Sequence, residues 1–223
     1  MLIPLKDLNP RRSFPIVNLL LIATNIAVFL YEVSLPERAQ NAFVLANATV
    51  PSHVLSFLTG PTTFKAAFMP LLTSMFLHSG ILHIAGNMLF LYIFGDNIED
   101  YFGHLPYLLF YLACGIGAGL LHIAFNLQSH LPALGASGAI SGVMGAYLIL
   151  YPKSRVLTLV FIFLVPLPAI FVLGYWFLIQ FLEGISSLGM AGAGGVAWWA
   201  HVGGFLLGML FASASGRRQL QRA

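Results

Sequence analysis

Charge is what this 223-residue sequence has least of: Asp, Glu, Lys and Arg together make up 8% of it, against roughly 25% in soluble domains. Hydrophobic residues make up 59%. So apolar a chain excludes an ordinary water-soluble globule and points to a bilayer as its solvent. Cysteine is also scarce. The single Cys114 excludes an internal disulfide and reads as a small packing hydrophobe. The seven acids, Asp7, Glu32, Glu37, Asp96, Glu99, Asp100 and Glu183, fall in loops, tails or the ends of apolar runs, so no carboxylate is expected deep in a membrane site. The formal net charge of +3 comes from basic residues near the ends of apolar runs and in the tail. Membrane retention and anionic headgroups account for them, and no nucleic-acid partner is expected.

What is present in quantity is uninterrupted apolar sequence. Charge-free runs extend from Ser13 to Tyr31, Ala66 to Gly95, Tyr101 to Pro152, Val156 to Leu182 and Gly184 to Gly216, and a helical span needs about 20 residues. The polar, helix-breaking patch of Asn126, Gln128, Ser129, His130 and Pro132 divides the run from Tyr101 into two. Six spans result, at about 14–31, 72–95, 105–125, 136–151, 168–183 and 197–214. The reading is an all-α polytopic membrane protein, one domain over 1–223, with an interfacial first loop over about 32–67. Span five, at about 22–24 Å, is short of the ~30 Å hydrocarbon core.

Lys and Arg accumulate on the cytoplasmic side. Lys6, Arg11 and Arg12, then Lys153 and Arg155, then Arg217, Arg218 and Arg222 all fall on one side of a six-span chain, leaving only Arg38 and Lys65 for the other. Both termini are therefore expected in the cytoplasm, as is the acidic loop Asp96 to Gly103. The expected location is the plasma (cell inner) membrane, with the site opening to the extracytoplasmic side.

Unpaired polar groups at membrane depth cost several kcal/mol, so they are where chemistry is sought. Span two carries His78, His83 and Asn87, span four opens with Gly135-Ala136-Ser137-Gly138, and span six carries His201. His83 and Asn87 are four apart and share a helix face, whereas His78 is rotated away and suits the loop or rim. Spans two, four and six run in the same direction, so Ser137, His201, His83 and Asn87 converge at similar depth. At a helix start the Ser137 N–H is unclaimed and the dipole favours an oxyanion. His201 is the only histidine in spans four to six able to act as its base, and Asn87 and His83 would supply further oxyanion contacts. With no acid available the pair is a dyad, and Ser141, one turn beyond Ser137, is the candidate to orient His201.

Singly, each feature has a plainer explanation. Gly-Ala-Ser-Gly is common where membrane helices approach closely, and an intramembrane His also serves as a proton relay or interhelical contact. A metal site from His78, His83 and His201 lacks compact ligand spacing, so neither metal nor cofactor is expected. The coincidence of nucleophile, base and donors on three spans favours catalysis.

This set resembles the rhomboid family of intramembrane serine proteases. The resemblance rests on the His83-x-x-x-Asn87 pattern, Gly135-Ala136-Ser137-Gly138, and Ala200-His201-Val202-Gly203-Gly204, and it covers nearly the whole chain. It implies a six-helix rhomboid-like bundle with Ser137 as nucleophile, His201 as base, and His83 and Asn87 at the oxyanion. It further implies that Gly204 and Gly208 pack against Gly138, Ser141, Gly142 and Gly145, and that Phe94-Gly95-Asp96-Asn97-Ile98-Glu99 forms a cytoplasmic turn. Span five and the glycine-rich Gly184–Gly195 would be the lateral gate and cap loop, and transmembrane protein substrates would be cleaved near their outer ends. Two departures stand out. Phe68-Met69-Pro70 replaces a Trp-Arg pair of many rhomboids, and Ser141 replaces an aromatic that stacks on the His in some relatives. The alternatives are an inactive rhomboid-like membrane chaperone or binding protein, and a transporter using His83, Asn87 and His201 as a polar path.

Overall fold

The computed structural model describes residues 2–187 and 196–220, with side chains described up to residue 215. In chain order its elements are β1 (Leu2–Asp7), α1 (Ile16–Ser34), α2 (Glu37–Asn47), α3 (Pro51–Thr59), α4 (Phe64–Phe68), α5 (Pro70–Thr73), a 3-10 turn (Ser74–Phe76), α6 (Ile81–Phe102) and α7 (His104–Phe125). They continue with α8 (Ser137–Leu150), β2 (Arg155–Val160), β3 (Phe163–Pro168), α9 (Ala169–Ser187) and α10 (Trp198–Leu220).

Among the described residues four helices, α1, α6, α7 and α9, are long and apolar enough to cross a membrane, while Phe64–Phe76 and α8 are shorter apolar stretches. The protein is an integral membrane protein built mainly of helices. It is not all-α: β1, β2 and β3 form an antiparallel sheet in that order. The segment before span five, expected only as the proline-interrupted approach within the charge-free run from Val156, forms β2 and β3 instead. Pro166 and Pro168 cannot sit inside a helix, and the β-branched Val156, Thr158, Val160 and Val165 favour a pleated pair instead.

The second correction concerns Asp96 to Gly103, expected as a loop. The helix α6 continues to Phe102 because its acids are used. Glu99 is fully buried and accepts from the backbone N–H groups of Val17 (2.9 Å) and Asn18 (2.7 Å) at the start of α1. Asp100 accepts from Ser13 N (2.8 Å), and Arg11 bonds Asp96 at 3.2 Å. Carboxylates thus satisfy the orphan donors and positive dipole end of α1. Asn18 completes the joint, donating to Leu91 O at 3.0 Å and accepting from Tyr107 Oη at 2.8 Å. A side chain at Gly95 would overlap it.

The expected first loop is largely helical, as α2, α3 and α4. It meets the α7–α8 connection through a Thr49–Ala133 bridge. α9 runs to Ser187, and 19 residues make roughly 28 Å, so span five is longer than expected and close to the hydrocarbon thickness. Gly184 belongs to α9; residues 188–195 of the expected cap loop lie outside the described residues, as do the side chains of Arg217 and Arg218 and the whole of Arg222.

α8 sits at the centre, with every residue from Gly138 to Tyr147 buried. Its largest interface is with α10, and glycine makes that interface possible. A Cβ on Gly204 would overlap the Gly138 carbonyl, one on Gly208 the Gly142 carbonyl, and one on Gly145 the Phe205 carbonyl. The seam expected from Gly204 and Gly208 is where the backbones touch.

Candidate active site

Ser137 is the first residue of α8 and His201 lies in the first turn of α10. The glycine seam therefore fixes the distance between them. His201 Nε2 stands 2.7 Å from Ser137 Oγ. His201 is buried and Ser137 is partly exposed, so the hydroxyl is the accessible member of the pair.

The other ring nitrogen corrects an expectation. His201 Nδ1 is 2.6 Å from Gln180 Oε1 on α9, not on Ser141. The Ser141 hydroxyl donates to its own helix, to Ser137 O at 2.6 Å, the usual way a mid-helix serine satisfies itself four residues back. The consequence is chemical. An amide oxygen only accepts, so Nδ1 carries the proton and Nε2 presents its lone pair to the Ser137 hydroxyl. Trp176 of α9 packs on the imidazole with ring centres 5.8 Å apart, and Trp198 meets it edge-on at 6.2 Å. Gln180 and Trp176 were not singled out in the sequence. The available signal was an uncharged amide in an otherwise apolar run, a group that must find a buried partner.

His83 and Asn87 also reach this point. Gly135 has φ +124°, a backbone region that favours glycine. A Cβ there would lie 2.8 Å from His83 Nε2 and 3.7 Å from Asn87 Nδ2. Both side chains therefore stand over the backbone two residues before Ser137. Asn87 Nδ2 is buried and has no hydrogen-bond partner among the described residues, a costly state for a native donor unless a ligand group is to occupy it. Ser79 N–H donates to His83 Nδ1 at 3.4 Å, with Ser79 Oγ at 3.0 Å. That leaves the His83 proton on Nε2, aimed at the same space.

His78, expected at the loop or rim, sits beneath the loop before α6. It is 1% exposed and supports His83 edge-on, ring centres 5.1 Å apart. His130 and Asn126, from the polar patch between α7 and α8, are engaged locally, with Ser52 Oγ (3.0 Å) and His122 O (2.9 Å) respectively. A small cavity lined by Thr49, Ser74, His122, Gly135 and Ser137 adjoins the serine. Among the described residues no group of three His, Cys, Asp or Glu stands together as metal ligands.

The family model described as "Rhomboid domain" matches residues 65–218. The chain is 38% identical over 138 residues to "RHOMBOID-like protein 6, mitochondrial" of Arabidopsis thaliana, covering 62% of this chain and 40% of that protein. It is 30% identical over 185 residues to the mouse "Presenilin-associated rhomboid-like protein, mitochondrial", covering 78% and 46%. It is 42% identical over 85 residues to "Rhomboid protease GluP" of Bacillus subtilis, covering 38% and 16%. In each case the match spans less than half of the relative's length.

Proposed function

The chain belongs to the rhomboid family, and from that premise we propose that it is an intramembrane serine endopeptidase cleaving transmembrane helices of protein substrates near their outer ends. The observation that carries the proposal is His201 held on both sides, by Ser137 on Nε2 and by Gln180 on Nδ1. That arrangement supports a base of defined tautomer facing a nucleophile.

In the proposed reaction Ser137 Oγ attacks the scissile carbonyl carbon while its proton passes to His201 Nε2. The carbonyl oxygen becomes an oxyanion facing the Ser137 N–H, Asn87 Nδ2 and His83 Nε2. The imidazolium, stabilised by its hydrogen bond to Gln180, then protonates the departing amine, leaving an acyl-enzyme on Ser137. Water, deprotonated by His201, releases the acid product and restores the serine.

The same proposal takes the bundle as a single domain over 1–223 with six crossings, both termini in the cytoplasm and the site opening on the opposite side. The basic residues of the β1–α1 and α8–β2 connections support this orientation. The relatives lend no support to the plasma (cell inner) membrane, since two of the three named above are called mitochondrial. The bilayer itself is the partner the fold requires.

The test is cleavage of a model single-span substrate by the purified protein in liposomes. The expected result is cleavage by the native chain and none by Ser137→Ala. Cleavage surviving Ser137→Ala contradicts the proposal, and binding of the substrate without cleavage by the native chain favours the chaperone alternative.

A further inference from the structure

The β2–β3 hairpin has a feature that neither the bundle nor the dyad uses. At its base Val156 and Thr158 are fully buried, and the strands carry Arg155, Lys6 and Asp7. Beyond Thr158 cover is lost. The tip residues Phe161, Ile162, Phe163 and Leu164 are 81%, 81%, 66% and 58% exposed. With Leu2 and Ile3 of β1 paired alongside Val160 and Leu159, the far end of the sheet is apolar on both faces. A contiguous apolar projection of this kind marks an interaction surface.

The turn adds an independent argument. Val160 pairs with Phe163 across the two residues Phe161 and Ile162, and Phe161 has φ +56°, the only positive φ outside glycine among the described residues. Positive φ at the first turn position is where glycine fits in a two-residue hairpin. An aromatic there is strained. The residue is explained by its side chain, not by its backbone.

Two further observations choose the occupant. Pro166 and Pro168 lie in the edge strand β3 and Pro4 in the edge strand β1, and each removes a donor that an added strand would use, so both edges are poor templates for pairing. This disfavours a peptide partner and also limits unsatisfied N–H groups in an apolar medium. The hairpin also runs directly into α9, whose exposed Ile170 and Phe171 belong to the lipid-facing surface. From this continuity we infer that the hairpin tip is a monotopic anchor. Phe161, Ile162 and Phe163 lie in the headgroup–acyl boundary of the bilayer the bundle spans, with Arg155 and Lys6 left at headgroup level.

The inference rests on the membrane reading but not on proteolysis. The test is single-cysteine fluorescence in phosphatidylcholine–phosphatidylglycerol vesicles, which is clean because the one native cysteine, Cys114, is buried. An environment-sensitive label is placed by Ile162→Cys at the tip, Arg155→Cys at the base and Leu178→Cys on the exposed face of α9. The tip label is expected to emit blue-shifted from the base label, to be quenched by nitroxide high on the lipid acyl chain, and to resist aqueous iodide. Adding Phe161→Gly relieves the turn strain and is expected to increase iodide access to the tip. A tip label as open to iodide as the base label, with Leu178→Cys still shielded, overturns the anchor alone. Iodide access at Leu178→Cys as well would overturn the membrane reading. Unchanged shielding in the Phe161→Gly protein overturns the role given to the Phe161 ring.

Discussion

α8 and α9 each hold one side of the same histidine, yet they are packed in opposite ways. In α8, 10 of 14 residues are buried, and the helix is clamped to α10 by glycines whose place no side chain can take. In α9 only 5 of 19 are buried, and Gln180 is one of them. Ser137 is therefore positioned by backbone contact, the stiffest constraint available. Gln180 is positioned by a peripheral helix with a largely lipid-facing surface. The nucleophile–base distance belongs to the core, while the orientation and tautomer of the base depend on a helix whose position is weakly determined. Displacing α9 outward would leave the Ser137–His201 distance intact and remove the partner of Nδ1.

The strongest way to break this contrast is on the α8 side. Gly208→Val should force α10 away from the Gly142 carbonyl and destabilise the fold by about 3 kcal/mol or more. Thermal unfolding in detergent would record it, with loss of labelling at Ser137. Equal stability to the native protein would show that the seam is looser than described. Next in size is Asn87→Ala, which should lower kcat by about 100-fold, the cost of one oxyanion donor. It should leave the unfolding temperature nearly unchanged, because Nδ2 has no partner to lose.

On the α9 side, Gln180→Leu should reduce kcat by about 10- to 100-fold, as expected from losing one hydrogen bond to a buried imidazolium. KM and unfolding temperature should change little, and Gln180→Glu should recover activity. A fall in unfolding temperature with kcat preserved would make Gln180 a packing residue and erase the contrast.

The smallest effect is expected at the sheet. Asp7, in β1, is pushed up to about 6, chiefly by burial. A carboxyl whose folded pKa lies above its unfolded value binds its proton more tightly in the native state. Stability attributable to it is therefore full below about pH 4 and is lost as pH rises toward 6. Asp7→Asn should flatten stability against pH in that window, as followed by unfolding temperature.

Ser137, His201, His83 and Asn87 were legible in the sequence for one physical reason. Polar groups in charge-free runs are costly, and four on three separate runs call for a common explanation. The glycine seam was expected from the family resemblance, which set Gly204 and Gly208 against the small residues of α8, and the close backbone approach there is where it falls. Gln180 is not legible because nothing in the sequence ties one neutral amide in an apolar run to a histidine 21 residues later on another helix. The sheet is not legible because hydropathy does not distinguish an apolar hairpin from the approach to a span. The length of α6 was misjudged because Asp96, Glu99 and Asp100 look like a loop until the start of α1 is placed against them.

The central claim is that His201 activates Ser137, and reaction with a serine-directed fluorophosphonate tests it most directly. The native protein should be modified at Ser137 alone, as located by mass spectrometry of the adduct, and His201→Ala should lose that reaction while keeping its fold. Equal modification of Ser137 in the absence of His201, or modification at another serine, would contradict it.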